Sequence, residues 1–287
     1  MTVVTELQPD QQPARWDDHV PVYEEIFEPL SSAFAGRALD QLALQPSERL
    51  IDIGAGAGGA ALMAAARGAD VLAIDASPAM AARITLRAQE TAARRRIKAL
   101  VMDGMALDLP DASFDAAISV FGTVLFPDAA RGMRELARVL KPGCRAAVVT
   151  WTETERYELA SRMLGAIAAL RDPQPPPTSL PAQLRFREEP VFRALFIEAG
   201  LTVDTVSRLE ERWRLPSAQW IASRIAFAPG MAAMVHVLGA DRAAVLDAFA
   251  TALERDQGQV EVVLSAVAHV GIAREPESSG KFCPVCN

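Results

Sequence analysis

Asp52, Gly54, Gly56 and Gly58 stand at alternate positions in the stretch LIDIGAGAGG, residues 50–59. The same stretch also spaces Gly54, Gly56 and Gly59 as G-x-G-x-x-G. A short apolar run precedes these glycines and a helix-forming run, GGAALMAAARG, follows them. In that setting glycine lets backbone approach a ligand closely, and the start of the helix offers free N–H groups and positive potential. Two kinds of ligand suit such a loop: the pyrophosphate of a dinucleotide, or the carboxylate end of a nucleoside carrying a sulfonium amino acid. Asp75 ends the next apolar run, VLAID, about 20 residues on, where a carboxylate accepts both hydroxyls of a ribose. It points to an adenosine nucleoside without choosing between the two.

Further features make the choice. Asp103, in VMDGM, follows the third apolar run, where it can accept from the exocyclic amine of adenine. Asp52 lies two residues before the first glycine, a place that is usually apolar in dinucleotide sites. Then comes LPDASFDAAISVFGTVLFPDAARGMRELARVLKPG. Taken together, the chain resembles the Rossmann-like (class I) S-adenosylmethionine (SAM)-dependent methyltransferases, in the branch related to ubiquinone and menaquinone biosynthesis. The matching motifs are Asp52 to Gly58, Asp75 to Pro78, Asp103-Gly104, Phe114-Asp115 and Leu140 to Gly143. The likeness is strong over residues 45–151, and departs at Cys144, where the family usually has a second glycine.

The resemblance implies SAM as cofactor. It implies contacts from Asp52, Gly54, Ala55, Gly56, Gly58, Asp75, Ala76, Met80, Asp103, Gly104, Met105, Ser119 and Phe121, and makes Gly59 a helix-packing glycine. Tyr23 has two readings, core packing or a contact to the SAM carboxylate. Methyl transfer from a sulfonium is a displacement at carbon that depends chiefly on alignment, so the motifs require no named catalytic side chain. His19 and His236 are candidate bases, His236 reading more readily as a packed or solvated histidine, and His269 reads as structural. Trp16, Phe121, Phe126, Trp213 and Trp220 could line an aromatic acceptor pocket or simply pack.

These residues need a scaffold. Apolar runs alternate with helical stretches from Arg49 to Trp151, which predicts an α/β, Rossmann-like doubly wound, mostly parallel sheet. Val20, Tyr23, Ile26, Phe27, Leu30 and Phe34 recur at helical spacing, so residues 1–44 read as helices forming a lid. The methyltransferase domain is expected over residues 45–275. A helical acceptor lobe at about 216–255 is inserted before a last strand in QVEVVLSAVAHVGIAR, and residues 276–287 read as a disordered tail.

Composition limits the partners. The net charge is −7 across 287 residues, and the densest basic run, AARRRIKAL, falls at a helix end that suits it. Nucleic acid is therefore not an expected partner. No apolar run is long enough for a membrane span, and MTVVTELQPD lacks the pattern of a signal peptide, so a soluble, cytoplasmic protein is expected. Cys283 and Cys286 form CPVC without two further ligands at suitable spacing, so no metal site is expected. The expected activity is methyl transfer to a small, apolar or aromatic molecule. A SAM-binding protein with another or a regulatory role is the first alternative, and an NAD-dependent oxidoreductase the second.

Overall fold

The computed structural model describes residues 6–92, 94–172 and 180–277. The chain opens with a 3-10 turn at Pro9–Gln11 and three helices, α1 (Pro13–Trp16), α2 (Val20–Ile26) and α3 (Glu28–Leu42). An alternating series follows: β1 (Arg49–Ile53), α4 (Gly59–Ala66), β2 (Asp70–Asp75), α5 (Pro78–Gln89), β3 (Ile97–Val101), β4 (Phe114–Val120), α6 (Ala129–Val139) and β5 (Leu140–Trp151). The second half holds α7 (Glu158–Leu170), α8 (Glu189–Glu198), β6 (Thr202–Leu215), α9 (Ala218–Arg224), α10 (Pro229–His236), α11 (Arg242–Gln257) and β7 (Val262–Arg274).

Local chemistry sets the boundaries. Pro21, Pro29 and Pro78 sit in first turns, where a missing N–H costs nothing. Ser77 caps α5 by accepting from the Met80 N–H, and Asp128 caps α6 by accepting from the Arg131 N–H. Gly68, at φ +94°, follows the end of α4. β5 begins at Leu140, four residues before the apolar run at Cys144, because Leu140 pairs with Phe114 of β4 and Gly143 and Cys144 exchange backbone hydrogen bonds with Glu275 just beyond β7.

Among the described residues seven strands form one sheet, in the order β3-β2-β1-β4-β5-β7-β6. β7 runs antiparallel to both its neighbours, while the pairs from β3 to β5 are parallel. This is the doubly wound α/β arrangement expected, with α9 to α11 inserted before the last strand. One apolar core takes in α3, α4, α7 and the inserted lobe; the other takes in α6 and α8.

The N-terminal helices divide. α3 belongs to the core, where Leu30, Phe34, Ala38 and Leu39 are all but inaccessible. The segment 6–27 lies toward the strand ends. Asp17 ties it to α5, accepting from Ser77 Oγ–H at 2.5 Å and from the Ala79 N–H at 3.1 Å. No helix among the described residues is long and apolar enough to cross a membrane. Cys283 and Cys286, and the expected tail beyond Glu277, lie outside the described residues.

Candidate cofactor and acceptor site

The loops that leave the C-terminal ends of β1 to β5 converge on one cavity of about 460 Å³. Open α/β sheets bind ligands at that edge, and the volume falls in the range of small-molecule sites. In the turn that forms its floor, Gly54 and Gly56 take φ of +69° and +55°, and Gly58 just behind them +92°. Each also gives up space to a different neighbour. A Cβ at Gly54 would stand 2.9 Å from the backbone of Gly122, one at Gly56 2.9 Å from the Tyr23 hydroxyl, and one at Gly58 3.0 Å from Ile84. The alternating glycines thus let the β4 loop, α2 and α5 close around a single turn. At Gly59 a Cβ would meet Glu28 and Ser32 of α3, so this glycine does serve helix packing.

Asp75 knits the loop together. Its Oδ2 accepts from the Gly56 N–H and its Oδ1 from the Ser77 N–H, each at 2.9 Å. Each oxygen keeps a lone pair for a further donor. Burial raises its pKa to about 6 against the pull of those two N–H groups. Asp52 lies behind the loop, 1% exposed, and its Oδ2 has no hydrogen-bond partner among the described residues. Burial, then the negative charge of Asp75, raises it to about 7. Asp103 holds its own turn by accepting from the Met105 N–H at 2.8 Å.

Ten of the residues expected to touch a cofactor share the cavity wall: Tyr23, Gly54, Gly56, Asp75, Ala76, Met80, Asp103, Gly104, Met105 and Phe121. Asp52, Ala55, Gly58 and Ser119 stand just behind it. The Ala55 N–H donates to the Ile74 carbonyl. Ser119 Oγ–H donates to the Ile53 carbonyl at 2.7 Å and accepts from both the N–H and the hydroxyl of Thr123, which braces β1 against the β4 turn.

Beyond the glycines the cavity becomes aromatic. Phe121 sits at φ +59°, a costly conformation for a residue with a Cβ. Its ring stacks on Trp151 at 4.0 Å, and Trp151 stacks on Tyr157 at 4.6 Å. Phe27 packs against Phe121 and Trp151, and stacks on Phe227 of the lobe at 5.4 Å. Trp16 and Phe126 line the cavity. Trp213 stacks behind Tyr157, and Trp220 carries the Arg224 guanidinium over its ring, both away from the wall. No histidine lines the cavity among the described residues. His19 Nδ1 contacts the Arg15 carbonyl, and His269 is buried in β7 against the Arg187 carbonyl.

Sequence reasoning passed over Asp10, Phe27, Gly122, Trp151, Tyr157 and Phe227 as site residues, all of which line the cavity. Trp151 carried a usable signal, since it ends a strand at the ligand-binding edge of the sheet. Gly122 carried the same signal, two residues past the end of β4, while Asp10, Phe27, Tyr157 and Phe227 reach the site through tertiary packing.

Residues 51–148 match a family described as a methyltransferase domain. Residues 51–148 thus carry a methyltransferase domain. This methyltransferase domain is similar to an uncharacterized protein of Mycobacterium tuberculosis (strain H37Rv), 32% identical over 53% of this chain and 56% of the relative. It is also similar to a 2-phytyl-1,4-naphtoquinone methyltransferase of Synechococcus elongatus, 36% identical over 50% of this chain and 64% of the relative. The chain thus spans little more than half the length of the mycobacterial relative, and less than two thirds of the cyanobacterial one. In fold it is similar to the crystal structure of the [4+2]-cyclase SpnF, with a TM-score of 0.56, 21% identity, and 86% of this chain and 82% of that one covered.

SAM is the cofactor of class I methyltransferase domains, and the residues present fit it. The glycine turn leaves a cradle, Asp75 keeps two acceptor lone pairs, and the buried Asp52 Oδ2 lacks a partner among the described residues.

Proposed function

We propose that the protein transfers a methyl group from SAM to a small, apolar or aromatic acceptor, in the cytoplasm and without nucleic acid or a membrane as partner. The observation that carries this reading is the continuity of one cavity from Gly56, Asp75 and Asp103 to Trp151, Tyr157 and Phe227. Its two ends differ in chemistry as a nucleoside and an apolar acceptor do.

In this reading Asp75 holds the ribose, Asp103 the adenine amine, and the turn at Gly54 to Gly58 the amino-acid end, with Ala76, Met80, Gly104 and Met105 packing around the base. Tyr23 closes over Gly56. Ala55, Gly58 and Ser119 shape the turn from behind. When bound, SAM supplies a methyl group on a positively charged sulfur, which passes to the acceptor's nucleophilic atom and leaves S-adenosylhomocysteine and, from a protonated nucleophile, a proton. The protein's part is to align the two molecules and to exclude water. Phe27, Phe121, Trp151 and Phe227 form an apolar wall suited to both tasks, and the segment 6–27 with the inserted lobe serves as lid and acceptor pocket.

The test is calorimetric titration with SAM, S-adenosylhomocysteine and NADH, followed by transfer of labelled methyl to a panel of phenols, quinols and amines. Binding of both SAM species and methylation of a panel member is expected. NADH binding without a response to either SAM species would leave an oxidoreductase; SAM binding with no turnover would favour a non-transfer role.

A further inference from the structure

The aromatic end of the cavity is lined mainly by rings and aliphatic chains, with Thr152, Thr154, Gln11 and Gln183 as neutral polar groups. One carboxylate stands among them, that of Asp10. It is carried by the 3-10 turn Pro9–Gln11, which Trp16 fixes by donating its indole N–H to the Asp10 carbonyl at 3.0 Å. Asp10 Oδ1 accepts the N–H of Gly230, in the first turn of α10, at 2.6 Å. Oδ2 receives no hydrogen bond among the described residues.

The carboxyl is therefore half satisfied. Burial raises its pKa above the ordinary carboxylate range, against the Gly230 N–H and the charge of His19. An unpaired carboxylate oxygen in a cavity wall has lone pairs to offer a ligand donor. The neighbouring chain is shaped to keep the carboxyl there. A Cβ at Gly230 would overlap Asp10 Oδ2 and lie 2.9 Å from Cγ, so both carboxylate oxygens stand against the start of α10 and a side chain there would displace them.

We propose that Asp10 selects the acceptor: its free Oδ2 accepts a hydrogen bond from an O–H or N–H group of the bound molecule. The site then takes apolar or aromatic molecules that bear a donor and discriminates against analogues in which that donor is blocked. This inference rests on the methyltransferase reading only for the word acceptor. The pocket and its carboxylate belong to the fold.

Two probes test it, 1-naphthol and 1-methoxynaphthalene, titrated into the full chain with S-adenosylhomocysteine present. Quenching of Trp16 and Trp151, which line the cavity, reports binding. The wild type should prefer the naphthol by at least about tenfold, as expected of a site built to pair a hydroxyl. Asp10→Asn keeps an oxygen for the Gly230 N–H but presents an N–H where Oδ2 stood, and should abolish the preference. Gly230→Ala leaves Asp10 chemically intact but displaces it, favours the helix, and should weaken the preference. Affinity for S-adenosylhomocysteine should be unchanged in both variants. Equal binding of the two probes to wild type, binding of neither, or a preference that survives Asp10→Asn would overturn the proposal. Failure of S-adenosylhomocysteine to bind would sink the methyltransferase reading instead, and the naphthol comparison, run without it, would still decide the role of Asp10.

Discussion

Asp52 and Asp75 are carboxyls that burial holds toward the protonated form, at about 7 and about 6 against an ordinary 3.8. The folded protein therefore binds more protons than the unfolded chain between pH 4 and 7. The stability this contributes is complete below the ordinary value and is lost as pH rises through the folded values. Asp52→Asn removes the titration at the most deeply buried of the two. By scanning calorimetry the ligand-free variant should be more stable than wild type at pH 8, by roughly 2–4 kcal/mol, with the gap closing near pH 4. A gap independent of pH would mean that Asp52 is solvated. Ligand binding has the opposite sign, because ribose hydroxyls favour the charged form of Asp75. Affinity for S-adenosylhomocysteine should climb by up to about tenfold per pH unit below 6 and level off above it. Asp75→Ala should cost about 1.5–3 kcal/mol of that affinity and flatten the profile below pH 6. Both acids stood out in the sequence, Asp75 because it ends an apolar run and Asp52 because it interrupts one just before the glycines. Asp10 did not, because nothing in its surroundings in the sequence says that Gly230 will stand beside it.

Helical spacing found the N-terminal helices but not the division of labour among them. Phe27 and Phe34 lie seven residues apart on the same apolar repeat; the first lines the cavity and the second is wholly buried in the core. Which part of an amphipathic stripe meets core and which meets ligand depends on where the sheet ends. α3 is further anchored by Glu28, whose two oxygens accept from Arg87 Nη1 at 2.6 and 2.8 Å, while the same nitrogen donates to the Ala57 carbonyl. Removing residues 1–19 should accordingly leave a cooperative thermal transition while weakening S-adenosylhomocysteine binding. Removing residues 1–40 should abolish the transition, because it takes most of α3 away. Phe34→Ala alone should cost roughly 3–5 kcal/mol in denaturant unfolding. A truncation to residue 41 that still unfolded cooperatively would show that α3 is not part of the core.

At the scale of the molecule, alternating strand and helix runs made the parallel half of the sheet legible, since each βα unit carries its own punctuation. The placing of the last strand was not. β7 has apolar residues along its length, and period alone does not say that it enters between β5 and β6 or that it runs the other way. A ligand that reaches across β1, β2 and β3 should be felt by this whole sheet. At a hundredfold excess over its dissociation constant, S-adenosylhomocysteine should add about 2.7 kcal/mol to stability, with a single transition moving as one; NADH at the same concentration should move nothing.

That strand order also sets a timetable for synthesis. β5 ends at Trp151, yet its partner is complete only at Arg274, about 120 residues later. At roughly 5–20 residues per second, the ribosome needs on the order of ten seconds to deliver it. For that interval the nascent chain holds a nearly finished parallel sheet with β5 as an open edge, and β6 waits with no neighbour at all. Unpaired edges of this kind invite pairing with other chains. Newly made protein should therefore be most prone to aggregate, and most in need of a chaperone, in the stretch of translation between Trp151 and Arg274.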